Sequence, residues 1–201
     1  IRDSFIEEEQ VRGTIIISIE GINGTISFKP TKYKKVKNKI LNLLNIRKLD
    51  NENISYYKYQ AFKKSKIKIK KEVVPIGMKL NKIVTKNKIE PKDWNKFILK
   101  KETVLIDTRK NFEFKVGTFK GSINPELNNF RDFPRYFKTL KKNQNIGMFC
   151  TGGIRCEKAS AYLKKKGFKN VYQLKGGIIN YLNNVKKKDS LWSGDLSLIH
   201  I

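Results

Sequence analysis

The sequence contains few of the residues from which disulfide frameworks and metal sites are built. Its 201 residues include only two cysteines, Cys150 and Cys156, and one histidine, His200. Two cysteines so close together do not make a disulfide framework, and they suit a reducing compartment. A cysteine protease or a metal hydrolase is disfavoured because either would need a histidine partner. We therefore expect no metal site, and we expect His200 to be solvated.

Long apolar runs and acidic residues are also scarce. No apolar run approaches the length of a membrane-spanning helix and no signal peptide is visible, so we expect no membrane contact and a cytoplasmic location. Lysine and arginine number 44 against 18 aspartates and glutamates, for a formal net charge of +26. Two origins of this charge stay open, namely attraction to a nucleic-acid backbone and a lysine-rich codon bias. A chain this basic should bind polyanions in either case.

Hydrophobic periodicity divides the chain into two α/β domains. We predict a small α/β sandwich over residues 1–74, a linker over 75–90, a second domain over 91–187 and a tail over 188–201. The elements expected in the first domain are a helical tail at 1–10, strands at 14–19, 25–28, 56–62 and 67–74, and a helix at 31–46. The alternation of lysine and isoleucine over residues 66–70 indicates a strand with one buried face and one cationic face.

The second domain alternates strands with helices, a pattern typical of a mostly parallel sheet covered by helices on both faces. The elements expected are strands at 103–106, 146–149 and 171–174, and helices after Pro91, from Cys156 and after Gly177. An aromatic-rich helix is predicted over residues 128–140. We expect its aromatic side chains to pack in the core, whereas Arg131 and Arg135 reach solvent, where arginines can contact RNA bases.

The stretch from Asn145 to Tyr162 organises this second domain. A short apolar strand ends at Cys150, four residues (Thr151, Gly152, Gly153 and Ile154) form a turn, and Arg155 leads into a helix. Backbone N–H groups in such a turn can point inward, and the helix N-terminus adds positive potential. This setting lowers a thiol pKa and holds an anion such as a thiolate or persulfide. We predict Cys150 as the catalytic thiol and residues 151–155 as an anion-binding loop, with Arg155 at its rim.

Four further residues have supporting roles in this prediction. Cys156 would either resolve a sulfenate or persulfide on Cys150 or simply fill a slot that accepts a small residue. Asp107, Arg109 and Glu113 follow a buried-type strand, where charged groups more often fix a loop than perform chemistry. We predict a structural role for these three side chains.

The pattern Cys150-x-x-Gly153-x-Arg155 resembles the active loop of rhodanese-type sulfurtransferases, whose loops are one residue shorter than those of the related phosphatases. The longer strings FCTGGIRCEKASAYL and GFKNVYQLKGGIINYL resemble the rhodanese-domain tRNA uridine hydroxylases, which modify the wobble uridine of some tRNAs. The string IEGINGTISF is similar to the N-terminal domain of that family, and DTRKNFEFKVGTFKGSINPE is similar to its rhodanese signature. Thr118 stands where the signature often has histidine.

The resemblance implies a ferredoxin/acylphosphatase-like domain followed by a rhodanese-like domain. It implies oxygen-dependent hydroxylation of the wobble uridine to 5-hydroxyuridine, with tRNA as partner and with molecular oxygen and an unidentified reductant as co-substrates. No cofactor or protein partner is evident from the sequence. Two alternatives stay open, a persulfide sulfurtransferase acting through Cys150 and a non-catalytic basic RNA-binding module. The family's first strand and its cysteine-rich C-terminal segment are missing, so we expect a chain shortened at both ends.

Overall fold

The computed structural model describes residues 8–77 and 87–196. Their contacts divide the chain into two units, the first including the described residues 8–73 and the second residues 74–77 and 87–196. Most of the helical tail predicted at 1–10 lies outside the described residues. His200 also lies outside them.

The first unit is built on a three-stranded sheet. Its described elements are β1 (Arg12–Ser18), β2 (Gly21–Ser27), α1 (Tyr33–Leu43) and β3 (Ser65–Ile69), with a short 3-10 turn at Pro30–Lys32. The strand order is β2-β1-β3, with β1 antiparallel to β2 and parallel to β3. Val11 and Val36 form its buried core, against which Ile26, Phe28, Ile40 and Ile67 pack. The apolar side chains of α1 therefore cover one face of the sheet, as its helical periodicity predicts.

One predicted strand of this unit is wrong and another is displaced. Residues 56–62 form no strand, and β3 occupies 65–69 rather than 67–74. The tyrosine-rich sequence at 56–59 has high β-propensity, but these side chains are exposed rather than packed on a sheet. β-Propensity largely measures fit to a half-buried pleated surface, so it does not produce a strand here, where the described residues offer no partner strand.

The second unit contains the remaining described strands and helices. They are β4 (Lys88–Ile89), α2 (Pro91–Ile98), β5 (Thr103–Asp107), α3 (Asn111–Val116), β6 (Gly117–Phe119), α4 (Phe133–Tyr136), β7 (Asn145–Phe149), α5 (Ile154–Lys165), β8 (Val171–Leu174), α6 (Gly177–Asn184) and β9 (Trp192–Gly194). The main sheet has the order β4-β8-β7-β5, and each of its strand pairs is parallel. This confirms the predicted parallel sheet.

Both faces of the main sheet are covered. One face packs on a core of seven buried residues: Trp94, Leu105, Phe119, Phe149, Leu174, Ile178 and Tyr181. Phe119 makes edge-on contacts with the rings of Phe149 and Tyr181, at centroid distances of 4.9 and 4.7 Å. Strand alternation points Ile106 and Met148 to the opposite face, where both are fully buried.

Two boundaries differ from the prediction. The stretch predicted as a linker ends in β4, which pairs with β8, and the stretch predicted as a tail contains β9, which pairs antiparallel with β6. Strands of two or three residues are too short to show a period in the sequence. Their pairing partners, distant in sequence, decide whether they form.

The helix predicted over residues 128–140 is interrupted. A 3-10 turn at Phe130–Asp132 leads into α4, and a second 3-10 turn follows at Phe137–Thr139. Pro134 lies in the first turn of α4, where its missing N–H is tolerated, but it cannot continue a helix from the residues before it. The predicted exposure pattern is confirmed, since Phe130, Phe133 and Phe137 are buried, whereas Arg131 and Arg135 are exposed.

Candidate active site

The candidate site begins at the carboxyl end of β7. Cys150 follows this strand directly and α5 begins at Ile154, so the thiol lies at the base of a short turn. Gly153, the residue before α5, has a φ of 92°, a left-handed conformation that glycine adopts without strain. Only 1% of the Cys150 surface is exposed. The predicted arrangement of strand, turn and helix is present, with the thiol enclosed by its own loop.

Backbone N–H groups converge on the Cys150 sulfur. The Gly153 N–H donates to Sγ over 3.1 Å, and the N–H groups of Arg155 and Cys156 also hydrogen-bond to this sulfur. Burial raises the pKa of a thiol, but here the Cys156 thiol, the Arg155 charge and these N–H groups outweigh burial. Together they lower the pKa of Cys150 from 9.0 to about 6. The thiolate is therefore the main form of Cys150 at neutral pH.

Cys156 holds its proton beside this thiolate. Burial and the neighbouring Cys150 thiolate raise the pKa of Cys156 well above its ordinary value. Its Sγ also lies 3.4 Å from the Thr108 hydroxyl, which donates to the Phe149 carbonyl over 3.0 Å. Cys156 is thus a protonated thiol that donates to the charged sulfur, a role that sequence reasoning did not assign. Thr108 was also missed, because its contact with Cys156 joins the loop after β5 to α5, 48 residues further along the chain.

An ion pair attaches the active loop to α3. The Arg155 guanidinium donates to both carboxylate oxygens of Glu113, over 2.9 and 3.0 Å. Glu113 also accepts hydrogen bonds from the Thr151 hydroxyl and the Lys110 N–H. Burial raises the pKa of a carboxyl, but the hydrogen bonds and charge of Arg155 prevail and lower the pKa of Glu113. Paired in this way, Arg155 presents its charge to Cys150 in a fixed geometry.

Asp107 and Arg109 lie apart from this ion pair. Their side chains are 1% exposed and form a buried pair, with Arg109 Nη2 2.6 Å from Asp107 Oδ2. Arg109 also donates to the Gly117 carbonyl and places its guanidinium 5.1 Å from the centre of the Trp192 ring. Thr118 donates to Asp107 over 3.0 Å. The three residues predicted to have a structural role therefore lie in two places. Glu113 contacts the active loop, whereas Asp107 and Arg109 lie at the β6–β9 pair.

The N-terminus of α6 closes the other side of the loop. The N–H of Ile178 donates to the Cys150 carbonyl over 3.0 Å, and that of Ile179 donates to the Thr151 carbonyl over 3.2 Å. At Gly177, which has a φ of 69°, an added Cβ would lie 2.5 Å from each of these two carbonyl oxygens. The glycine pair at 176–177 was predicted only as the start of a helix. Its closeness to the loop becomes visible in the tertiary structure.

Comparison with known proteins shows two matching domains. Residues 2–73 match a UPF0176 acylphosphatase like domain, and residues 90–184 match a rhodanese-like domain. A tRNA uridine(34) hydroxylase of Pelagibacter ubique is 58% identical over 192 residues, which cover 95% of this chain and 64% of the relative. One of Prochlorococcus marinus is 44% identical over 201 residues, 94% of this chain and 63% of the relative.

The chain is similar to these relatives over most of its length. The predicted two-domain architecture, an acylphosphatase-like α/β domain followed by a rhodanese-like domain, is confirmed. Among solved structures, a rhodanese-related protein from Thermoplasma volcanium matches with 25% identity and a TM-score of 0.42, over 48% of this chain and 91% of that one. The chain spans about 64% of the length of its Pelagibacter relative.

Two further findings concern the described residues alone. They contain no group of three histidine, cysteine, aspartate or glutamate side chains placed to hold a metal ion. Nor does any helix among residues 8–77 and 87–196 have the length and apolar character needed to span a bilayer.

Proposed function

We propose that this protein hydroxylates the wobble uridine of tRNA to 5-hydroxyuridine, with the Cys150 thiolate as the catalytic nucleophile. The observation that carries the proposal is the Cys150 sulfur at the base of its loop, where the Gly153 N–H donates to it over 3.1 Å and its pKa is lowered, in a chain 58% identical to a named tRNA uridine(34) hydroxylase. The substrate and the location follow from the same proposal, namely tRNA and the cytoplasm. The net charge of +26 supports a polyanionic substrate.

A thiolate can make the uracil ring reactive toward oxygen. Addition of Cys150 Sγ to C6 forms a C–S bond and leaves an electron-rich enolate at C5. Molecular oxygen adds to C5, and one proton completes a C5 hydroperoxide. A two-electron donor, such as a dithiol, and two protons reduce the hydroperoxide to a hydroxyl and water. Loss of the C5 proton and of the Cys150 thiolate then restores the C5–C6 double bond.

The residues around Cys150 act on the charge of the sulfur. The Gly153 N–H and the Cys156 thiol stabilise the thiolate before it attacks and again when it leaves. Arg155 adds positive charge, which its hydrogen bonds to Glu113 hold in place. Because elimination regenerates an anion, a site that stabilises the thiolate also accelerates the final step.

Access requires movement of the loop. With 1% of its surface exposed, Cys150 has no face open to a uracil ring. An added Cβ at Gly152 would meet no atom within 4 Å, so there is open space beside the loop at this position. We expect RNA binding to displace residues 151–153 and to uncover the sulfur, a gating role that loops commonly perform.

Isotope labelling tests the proposal. Purified protein, tRNA and a dithiol are incubated under labelled oxygen gas, and the nucleosides are analysed by mass spectrometry. We expect uridine 34 to gain one labelled oxygen, Cys150→Ser to abolish the gain, and Cys156→Ser to retain substantial activity. Oxygen derived from water, or equal yield without oxygen gas, would refute the proposed chemistry. Equal loss from both substitutions in folded proteins would replace the single-thiol mechanism with a two-cysteine mechanism.

Sulfur transfer is the second candidate function. The observation that favours it is the set of N–H groups on Cys150 Sγ, since the same groups can stabilise a persulfide anion. The same experiment separates the candidates when thiosulfate replaces the dithiol. A product that contains sulfur would favour sulfur transfer, whereas RNA binding without any product would favour a non-catalytic module.

A further inference from the structure

Three tyrosines are exposed in a segment that sequence patterns assign to a strand. Tyr56, Tyr57 and Tyr59 expose 78%, 57% and 75% of their surfaces, respectively. We call residues 56–59 the tyrosine segment. Aromatic side chains usually contribute to a core or an interface, because their large apolar area is costly to leave in water. Three of them exposed within four residues indicate a surface that binds a partner.

The chain on both sides of the tyrosine segment is attached to the first unit. On one side the Glu52 carboxylate accepts hydrogen bonds from the Tyr33 hydroxyl, at 2.7 Å, and from Lys37 Nζ, at 2.6 Å. On the other side the Gln60 amide donates to the Gln10 carbonyl over 2.8 Å. The tyrosines therefore extend from a segment that is held at each end, which reduces the entropy lost when they bind.

The charge next to the tyrosine segment has one sign. No acidic residue occurs between Glu52 and Glu72, and this interval contains lysines 58, 63, 64, 66, 68, 70 and 71. All of these lysines are exposed. In β3, alternation places Lys66 and Lys68 on the face opposite to Ile67, which packs on the core. The lysines thus remain available to phosphates while the strand keeps its apolar contacts.

Exposed rings among lysines fit an unpaired stretch of RNA. Bases can stack on aromatic side chains while ammonium groups bind the phosphates between them. A protein partner fits less well, since lysine is depleted in the buried part of protein interfaces. A duplex fits less well too, because its bases are already stacked on one another.

We propose that the tyrosine segment and the neighbouring lysines bind unpaired RNA, with the tyrosine rings stacked on bases. This inference rests on the proposed function and deepens it, since it assigns a surface of the first unit to an unpaired loop of the tRNA substrate.

Fluorescence anisotropy with two RNA probes tests the inference on the full chain. One probe is a hairpin with an unpaired loop, and the other is a blunt duplex of the same length. The triple substitution of Tyr56, Tyr57 and Tyr59 by alanine should weaken hairpin binding at least about tenfold and leave duplex binding unchanged. Substitution of the three by phenylalanine should preserve hairpin binding, because the ring is retained. Ile19→Ala is the matched control, an exposed apolar side chain of the same unit without an aromatic ring.

The lysines are tested through the salt dependence of hairpin binding. Replacing Lys58, Lys63 and Lys64 by glutamine should reduce the log–log slope by up to about 2, whereas the tyrosine substitutions should leave the slope unchanged. The control variant replaces the three exposed lysines at 186–188 by glutamine. It removes the same charge from the second unit and should change the slope less. Equal slopes for the two lysine variants would overturn the assignment of phosphate contacts to this surface.

The proposed stacking of bases on the tyrosine rings would be refuted if the alanine triple variant bound the hairpin as tightly as the unchanged protein does. Equal loss with the phenylalanine variant would also overturn it, because the hydroxyl rather than the ring would then carry the affinity. Oxygen incorporation separates this inference from the proposed function. Hydroxylation by the alanine variant with an unchanged KM for tRNA would overturn the inference alone, whereas loop-dependent RNA binding without any oxygen incorporation would overturn only the proposed function.

Discussion

Replacing Cys156 by alanine should raise the pKa of Cys150. The Cys156 thiol donates a hydrogen bond to the Cys150 thiolate, and alanine removes this donor at a fully buried position with little change in volume. Serine in the same place keeps a donor. Since the chain has two cysteines, each variant also leaves Cys150 as its only thiol, so that any thiol reagent reports on this residue alone.

The size of the effect follows from the pKa. Lowering the pKa of Cys150 from 9.0 to about 6 corresponds to about 4 kcal/mol in favour of the thiolate. A hydrogen bond to a charged group contributes about 1.5–3 kcal/mol of this total. We therefore expect the pKa of Cys150 to lie near 7 to 8 in Cys156→Ala, about one to two pH units higher, and to stay near 6 in Cys156→Ser.

The pH midpoint of alkylation by iodoacetamide, measured from pH 5 to 9, gives this pKa because only the thiolate reacts, and the loop opening that the buried sulfur requires scales the rate in both variants without moving the midpoint. With a pKa near 7.5, Cys156→Ala should react about eightfold more slowly than Cys156→Ser at pH 6.5, and the two should converge above pH 9. A common midpoint for the two variants, with thermal unfolding showing both to be folded, would refute the role of the Cys156 thiol. The N–H groups and Arg155 would then account for the whole shift.

Two further predictions concern the support of the active loop. Gly177→Ala should lower the free energy of unfolding by about 2 kcal/mol or more, because it combines a left-handed φ with a Cβ 2.5 Å from two carbonyl oxygens. Gly121→Ala, with a φ of 80° and no atom within 4 Å of the added Cβ, should show only the smaller backbone effect in the same denaturant titration. Glu113→Gln should lower the free energy of unfolding by about 3 kcal/mol at pH 7, because Arg155 loses its buried partner. The folded-state pKa of Glu113 is lowered, so this difference should persist above pH 5 and shrink as the pH falls below 4.5, and a constant difference down to pH 3 would contradict the ion pair.

Local patterns were sufficient to predict the loop that holds Cys150. The apolar run before Cys150, the glycine at 153 and the helical spacing after it determine a strand, a turn and a helix through interactions between residues near in sequence. The parallel sheet followed in the same way from alternating strand and helix patterns. The aromatics at 130, 133 and 137 were predicted to be buried, and they are.

Contacts between distant residues could not be predicted in this way. Arg155 and Glu113 are 42 residues apart, and nothing in their local sequences identifies them as partners. The same applies to Gly177, whose close approach to the Cys150 carbonyl depends on the packing of α6 against the loop. The tyrosine segment shows the opposite case, because its composition predicts a strand, whereas it pairs with no strand among residues 8–77 and 87–196 and its side chains are exposed.

The sequence by itself therefore determined the two-domain α/β architecture and the strand, turn and helix around Cys150. The tertiary structure decided the protonation states of the two thiols and the exposure of the tyrosines. It also decided that Glu113 contacts the active loop, whereas Asp107 and Arg109 form a separate buried pair. The physical reason is the range of the interactions. Backbone preference and hydrophobic period act over a few neighbouring residues, whereas pKa values and exposure depend on every group that folding brings within a few ångströms.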